Sequence, residues 1–429
     1  MNSRYYDLQS GTAGLIWIAA ILGSAATFAT QLLIAKSVGP QLYGILSIKL
    51  IIMGFITTIS GGAVSVFIMH VYSKDGAAAA RWTNGSVHYL GLAQGIGVIF
   101  LLVSTWFNNE NPTEKAATIA LIPYMFGQVT LDLTVTKNQM ASEHLKVAAW
   151  QFFPPIVRLI VIGLISIFTE TKEQSMSNIS VAFGATGLTM LLAGWKTHTQ
   201  LSEGTWQYPK NQTIAHNTHY TSNEQSFKQA LKAILPFGVA GILYLLTIQG
   251  NVLVTALLMD SESAGVFNAA LAISAALQQM PLIVYQKYLL PKLHLLAHTD
   301  ISQLSKLHRN GNLILLVLGT TISAILYWLT PELVPFLLGD NYQSSVFALQ
   351  ILSLSVLFRF MTVGASSIIL AVDINLKIQL LGKIALANFA LLVPLVYFFG
   401  IVGAAVATLL SDALALALLN YQLQNLRRS

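Results

Sequence analysis

Long apolar runs alternate along this chain with short polar breaks. Runs of membrane-spanning length recur near residues 11–35, 44–69, 86–107, 116–136, 147–168, 178–196, 230–258, 265–290, 311–330, 344–370, 378–399 and 401–423. No run shows the period-two alternation of a half-buried strand, and one crossing takes roughly 20 apolar residues. The pattern therefore predicts an all-α integral membrane protein of about twelve transmembrane helices. The longest polar stretch, Thr197–Gln229, divides the runs into two sets of six. The expected organisation is an N-terminal six-helix bundle over 1–196, a cytoplasmic linker over 197–229 with no fold of its own, and a C-terminal six-helix bundle over 230–429. The first run, Gly11–Ala35, is too long for the apolar core of a cleavable signal peptide and is read as a retained span.

Composition supports this reading. Charged residues make up 9% of the 429-residue chain, against about 25% in soluble domains, and the mean hydropathy is +0.65. So few charges cannot cover a water-facing surface, so lipid must be the solvent for most of the exterior. Cysteine is absent, which excludes disulfides, thiolate metal sites and cysteine nucleophiles. The formal net charge of +6 is spread over the loops, so it speaks for topology and not for nucleic-acid binding. With the N-terminus inside, seventeen lysines and arginines fall on the cytoplasmic side and three, Lys36, Lys115 and Lys172, on the other. That bias predicts that both termini and the central polar loop are cytoplasmic. Lys49, Arg158 and Arg359 remain inside spans.

The two halves share landmarks. Val38-Gly39-Pro40-Gln41-Leu42-Tyr43-Gly44-Ile45 precedes the second span much as Met259-Asp260-Ser261-Glu262-Ser263-Ala264-Gly265-Val266 precedes the eighth. Ala141–Lys146 resembles Ala371–Lys377 with one extra residue, and Gly184-Ala185 matches Gly403-Ala404. Their common order argues for duplication of a six-span unit. An even-numbered repeat keeps its orientation, so the copies are expected to be related by an axis along the membrane normal.

These segments also carry a family resemblance. Ser37–Ser47 (Ser-Val-Gly-Pro-Gln-Leu-Tyr-Gly-Ile-Leu-Ser), Tyr288–Leu293 (Tyr-Leu-Leu-Pro-Lys-Leu), Phe336–Tyr342 (Phe-Leu-Leu-Gly-Asp-Asn-Tyr), Leu349–Leu354 and Gly400–Ala407 resemble the polysaccharide transporter branch of the multidrug/oligosaccharidyl-lipid/polysaccharide exporter superfamily. The likeness spans essentially the whole chain and is greatest to the Wzx-type O-antigen flippases, although no single motif is diagnostic. It implies two six-helix bundles around a cleft that moves an undecaprenyl-pyrophosphate-linked oligosaccharide across the cell inner membrane by alternating access, coupled to an ion gradient. It further implies the lipid-linked oligosaccharide and membrane lipids as partners, with a polysaccharide polymerase and a chain-length regulator, and no cofactor.

Such a substrate needs cations for its pyrophosphate and hydrogen-bonding groups for its sugars. Arg158 in the fifth span and Arg359 in the tenth are the first candidates for substrate binding. A mid-membrane arginine costs roughly 2.5–3.5 kcal/mol on insertion scales, so it must face a wet cavity or a partner, and its planar fork suits phosphate. The alternative for each is a structural ion pair, for example Arg359 with Asp412. Lys49 is a third candidate, with snorkelling to the outer interface as its alternative. Asp412 and Asp132, both inside spans, are the candidates for ion coupling. The intramembrane amides Gln31, Gln128, Gln249, Asn251, Asn268, Gln278, Gln279 and Asn388 serve either sugar binding or helix-to-helix bonding. Pro154-Pro155 and the prolines and glycines of the seventh span mark kinks for packing or gating. The histidines lack metal-ligand spacing, and no catalytic metal site, phosphate-binding glycine loop or triad is present.

Two other function classes compete. A small-molecule or multidrug antiporter of the same superfamily would favour acidic and aromatic cleft residues over arginine. A membrane polymerase or glycosyltransferase would need a large outer loop or an acidic nucleotide-sugar site, and neither appears. The expected protein is a transporter and not an enzyme.

Overall fold

The computed structural model describes residues 4–107, 111–169, 171–206, 225–284, 301–372 and 374–428, and every regular element among them is helical. In chain order these are α1 (Arg4–Thr57), α2 (Ala63–Asp75), α3 (Thr83–Phe107), α4 (Pro112–Met140), α5 (His144–Phe168), α6 (Lys172–Ala193), α7 (Trp195–Ser202), α8 (Phe227–Leu258), α9 (Ser261–Val284), α10 (Ile301–Leu338), α11 (Ser345–Val372) and α12 (Ile374–Arg428). Helix is what lipid demands, because each backbone N–H and C=O must find its partner within the segment. Nine helical stretches among the described residues are long and apolar enough to cross a membrane. Two of them, Ile18–Tyr72 and Ile378–Gln424, are each long enough for two crossings, so this is a multi-pass membrane protein. The Tyr288–Leu293 motif lies outside the described residues.

Glycine breaks the two longest helices. Gly39 sits at φ 79° and is followed by Pro40, which has no N–H to continue the ladder. Gly400 sits at φ 58°. Both conformations are left-handed and strained for any residue with a Cβ. The chain folds back at Gly400: a Cβ on Gly403 would lie 1.9 Å from the Leu395 carbonyl oxygen. In a straight helix those two residues would be about 12 Å apart along the axis.

The chain packs as two compact units, Met1–Ala26 with Lys49–Ile242, and Thr27–Ile48 with Leu243–Ser429. In the first unit α4 crosses α6 at very short range. A Cβ on Gly127 would meet the Gly187 carbonyl oxygen at 2.4 Å, and one on Gly184 would meet that of Ala120 at 2.0 Å. Small residues permit such approach where lipid provides no hydrophobic drive between helices. A second cluster joins Phe67, Val129, Leu133, Leu201, Trp206 and Ile234, with Trp82 and Phe237 packed against it.

Residues 197–229, expected to need no fold, begin with structure. Helix α7 takes up Trp195–Ser202, Leu201 and Trp206 are buried, and the Trp206 indole donates to the Thr197 carbonyl at 3.3 Å. Buried apolar side chains spaced among polar ones hold this stretch against the first unit; residues 207–224 lie outside the described set.

In the second unit the first repeated landmark meets its counterpart reciprocally. A Cβ on Gly44 would lie 1.7 Å from the Ser261 carbonyl oxygen, and one on Gly265 would lie 2.0 Å from that of Pro40. Pro40 and Gly44 are the positions equivalent to Ser261 and Gly265, so the two repeated segments pack against each other through matching positions. Asn268 fastens the crossing by donating to Ser47 at 2.9 Å and Tyr43 at 3.1 Å. Tyr342 adds a bond to the Ala35 carbonyl at 2.9 Å, and burial raises its phenol well above the ordinary value.

Candidate functional site

The α4–α6 crossing determines the surroundings of Arg158. It sets Tyr124 of α4 against Phe183 of α6, edge to face, with ring centroids 4.9 Å apart. Arg158 reaches this pair from α5, one turn beyond Pro154 and Pro155. Its guanidinium lies 5.3 Å from the Tyr124 ring centroid and 5.2 Å from that of Phe183, and Nη1 donates to the Tyr124 hydroxyl. The residue is only 6% exposed, and Nε has no hydrogen-bond partner. Among the described residues no carboxylate pairs with it. Ring faces attract a cation through their quadrupole but leave its charge uncompensated. The ion pair considered for this residue is therefore not what surrounds it.

The same helix, α4, engages Lys49. The Lys49 ammonium is buried and donates to Thr118 at 2.6 Å, so this side chain does not snorkel to an interface. Thr118 and Tyr124 lie six residues apart on α4, about 9 Å along its axis, so α4 bonds both cations from two positions along its length. Further along α4, Asp132 is half-buried and has no hydrogen-bonding partner among the described residues.

In the second unit Arg359 of α11 does pair. Its Nε lies 2.9 Å from both carboxylate oxygens of Asp412 on α12, and the side chains are 19% and 10% exposed. Ser355, one turn before Arg359 on the same helix face, donates to the second oxygen of Asp412. The terminal nitrogens of Arg359 make no hydrogen bond among the described residues. The residue lines a cavity of about 100 Å³ together with Tyr244, Thr247, Thr362, Ser366 and Asp412. At roughly 30 Å³ per water, such a cavity holds about three. Leu380, Leu381, Ile384 and Leu419 complete the lining, so the cavity beside the pair is partly apolar.

Several of the amides act between helices. Asn251 of α8 donates to Thr408 at 2.6 Å, and Asn388 donates to Asn251 at 2.8 Å, all three in full burial. At the far end of the first unit, His198 on α7 lies 2.8 Å from the Thr130 hydroxyl, and burial lowers its basicity below the ordinary value. Sequence reasoning missed Tyr124, Phe183, Thr118 and Ser355. Tyr124 alone carried a signal, being a mid-span tyrosine remote from either aromatic belt. Among the described residues no group of three or more His, Asp or Glu side chains gathers as for a metal.

This architecture is that of a known class of membrane proteins. Neither a protein-family model nor a curated protein matches the sequence, so the class rests on solved structures. The lipid II flippase MurJ in an inward closed conformation superposes with a TM-score of 0.71 at 15% identity, covering 96% of this chain and 87% of that one. A mutant of the Vibrio cholerae MATE transporter VcmN superposes with a TM-score of 0.65 at 15% identity over 98% of each chain. A MOP superfamily transporter from Pyrococcus furiosus, described by the reverse polarity of its binding pocket, gives 0.59 at 11% identity over 97% and 96%. The chain thus has the MOP/MATE-like fold, in agreement with the expected fold class.

Proposed function

We propose that this chain is a transporter that moves an undecaprenyl-pyrophosphate-linked oligosaccharide, an O-antigen or related surface-polysaccharide unit, across the cytoplasmic membrane by alternating access. The observation that carries this reading is Arg158: a buried cation held by ring faces and a phenol, with no carboxylate beside it among the described residues. A net positive charge inside a membrane span is costly, and a pyrophosphate is the kind of group that offsets the cost. Arg359, which lines a cavity in the second unit, and Lys49 are the further candidates for substrate contact. The fold shared with a lipid II flippase lends further support. Both termini are placed in the cytoplasm by the lysine and arginine bias, with the polymerase and chain-length regulator as partners.

The test is deletion followed by extraction of lipid-linked sugars, complemented by Arg158→Lys and Arg158→Met at matched membrane levels. Accumulation of the lipid-linked sugar on the cytoplasmic leaflet, relieved by the wild type, partly by Arg158→Lys and not by Arg158→Met, is expected. Unchanged glycolipids in the deletion strain would refute the reading.

A second reading, an ion-coupled multidrug or small-molecule antiporter, is favoured by one observation. Asp132 is a span carboxylate without a partner among the described residues, suited to exchanging a proton. Loss of drug efflux in Asp132→Asn, with glycolipids intact, would select it.

A further inference from the structure

The first unit carries a feature that the transport reading does not use. Between α5 and α6 runs an apolar groove of about 280 Å³, lined by Trp150, Phe153, Val157, Thr189, Met190 and Ala193 among others. Thr189 gives its hydroxyl proton to the Thr186 carbonyl of its own helix at 2.8 Å, so the groove offers no free hydroxyl donor there. Phe153 is 59% exposed, so the groove opens to the outside of the helix pair.

Charge is confined to one end. Lys146 lies one turn before Ala149, and Lys196 three residues beyond Ala193. Both are exposed, and Lys137 at the end of α4 lies within electrostatic reach of both. The one carboxylate in the cluster, Glu143, pairs with Lys146 at 2.8 Å, so the mouth keeps an excess of positive charge. From Ala149 to Val157 the groove runs along about 12 Å of helix, close to half of the roughly 30 Å hydrocarbon core. An apolar slot one leaflet deep beneath a cationic mouth has the form of a phospholipid with an anionic headgroup.

We propose that the α5–α6 groove is a binding site for an anionic phospholipid of the leaflet on the Lys146 side, one acyl chain lying in the groove and the phosphate at Lys146 and Lys196. The depth argues for an acyl chain over the far longer polyprenyl chain of a lipid-linked sugar. This site is separate from Arg158 and does not depend on what the protein transports.

Native mass spectrometry of the purified protein tests it, with phosphatidylglycerol and phosphatidylcholine of identical acyl chains as probes. The wild type is expected to retain phosphatidylglycerol over phosphatidylcholine by about thirtyfold, the order that two surface lysines supply. Lys146→Ala with Lys196→Ala should erase the preference but not the retention. Thr189→Trp, which fills the groove, should lower retention of both lipids, and Ala193→Phe serves the same purpose should that variant fail to fold. Equal retention of the two lipids by the wild type, or undiminished retention in the filled groove, would overturn the site. Displacement of phosphatidylglycerol by equimolar undecaprenyl phosphate would overturn its assignment to phospholipid.

Discussion

The Arg359–Asp412 pair separates a structural role from a binding role, because the two roles use different ends of one guanidinium. Nε is bound at 2.9 Å to both oxygens of Asp412, while the terminal nitrogens make no hydrogen bond among the described residues, and Arg359 lines a cavity. Replacing Arg359 by Met leaves a buried carboxylate with Ser355 as its remaining donor. Removing one member of a buried pair destabilises by about 3–5 kcal/mol, whereas replacing both by apolar residues is often neutral. Arg359→Met and Asp412→Leu should therefore each lower the melting temperature in detergent clearly, and the double variant should recover to within about 1 kcal/mol of the wild type. Transport should not follow stability. If the fork contacts substrate phosphate, the double variant is stable and inactive, and Asp412→Leu alone keeps part of its activity. A double variant that transports at the wild-type rate would refute the binding role, and an Arg359→Met protein that melts like the wild type would refute the buried pair itself.

Three further outcomes follow from named contacts. Trp206 is buried at 4% exposure, so Trp206→Ala should cost about 3–5 kcal/mol and loosen α7, read as faster hydrogen exchange of the α7 amides. His198 is held neutral by burial, with a folded-state pKa below its unfolded value of about 6.5. The unfolded state then binds more protons, so this contribution is present above that pH and lost as pH falls below it; the protection of the α7 amides relative to their intrinsic exchange rate should fall on acidification in the wild type and respond less in His198→Gln. Asn251→Leu removes the partner of both Thr408 and Asn388 and should destabilise by about 1–3 kcal/mol, seen as a lowered melting temperature; no change would mean that water replaces the amide.

Much of the fold was legible because lipid leaves the sequence few options. Each expected apolar run falls on helix wherever the chain is described, and the two longest helices break at Gly39 and Gly400, where only glycine relieves the backbone. The Arg359–Asp412 pair was legible too, since opposite charges within spans are so scarce that they tend to find each other. Other features were not. Arg158 lies 34 residues from Tyr124 along the chain, and their meeting depends on how far α4 and α5 rotate about their own axes. Apolar runs that are hydrophobic on every face carry no such phase information. The partner of Lys49 was hidden for the same reason, because a threonine in a span carries no mark of what it bonds. The docked stretch around α7 was read as linker because polar residues dominate it, although its buried Leu201 and Trp206 decide its place.

The two arginines meet one problem, a guanidinium in a membrane span, by opposite physics. Asp412 cancels the charge of Arg359, and what remains at the cavity is a hydrogen-bonding fork with little net field. Tyr124 and Phe183 stabilise Arg158 without cancelling it, since a ring quadrupole attracts a cation yet carries no net charge. Coulomb attraction to an incoming anion scales with the uncancelled charge and grows as the dielectric falls, so under the proposed function Arg158 is the stronger attractor of an anion and Arg359 the weaker. Lysine would serve poorly in the Arg158 position, because its compact ammonium cannot contact both rings and still bond the phenol. The aromatic cage thus accounts for the choice of arginine at residue 158, and the carboxylate pair for the tolerance of a second arginine at residue 359.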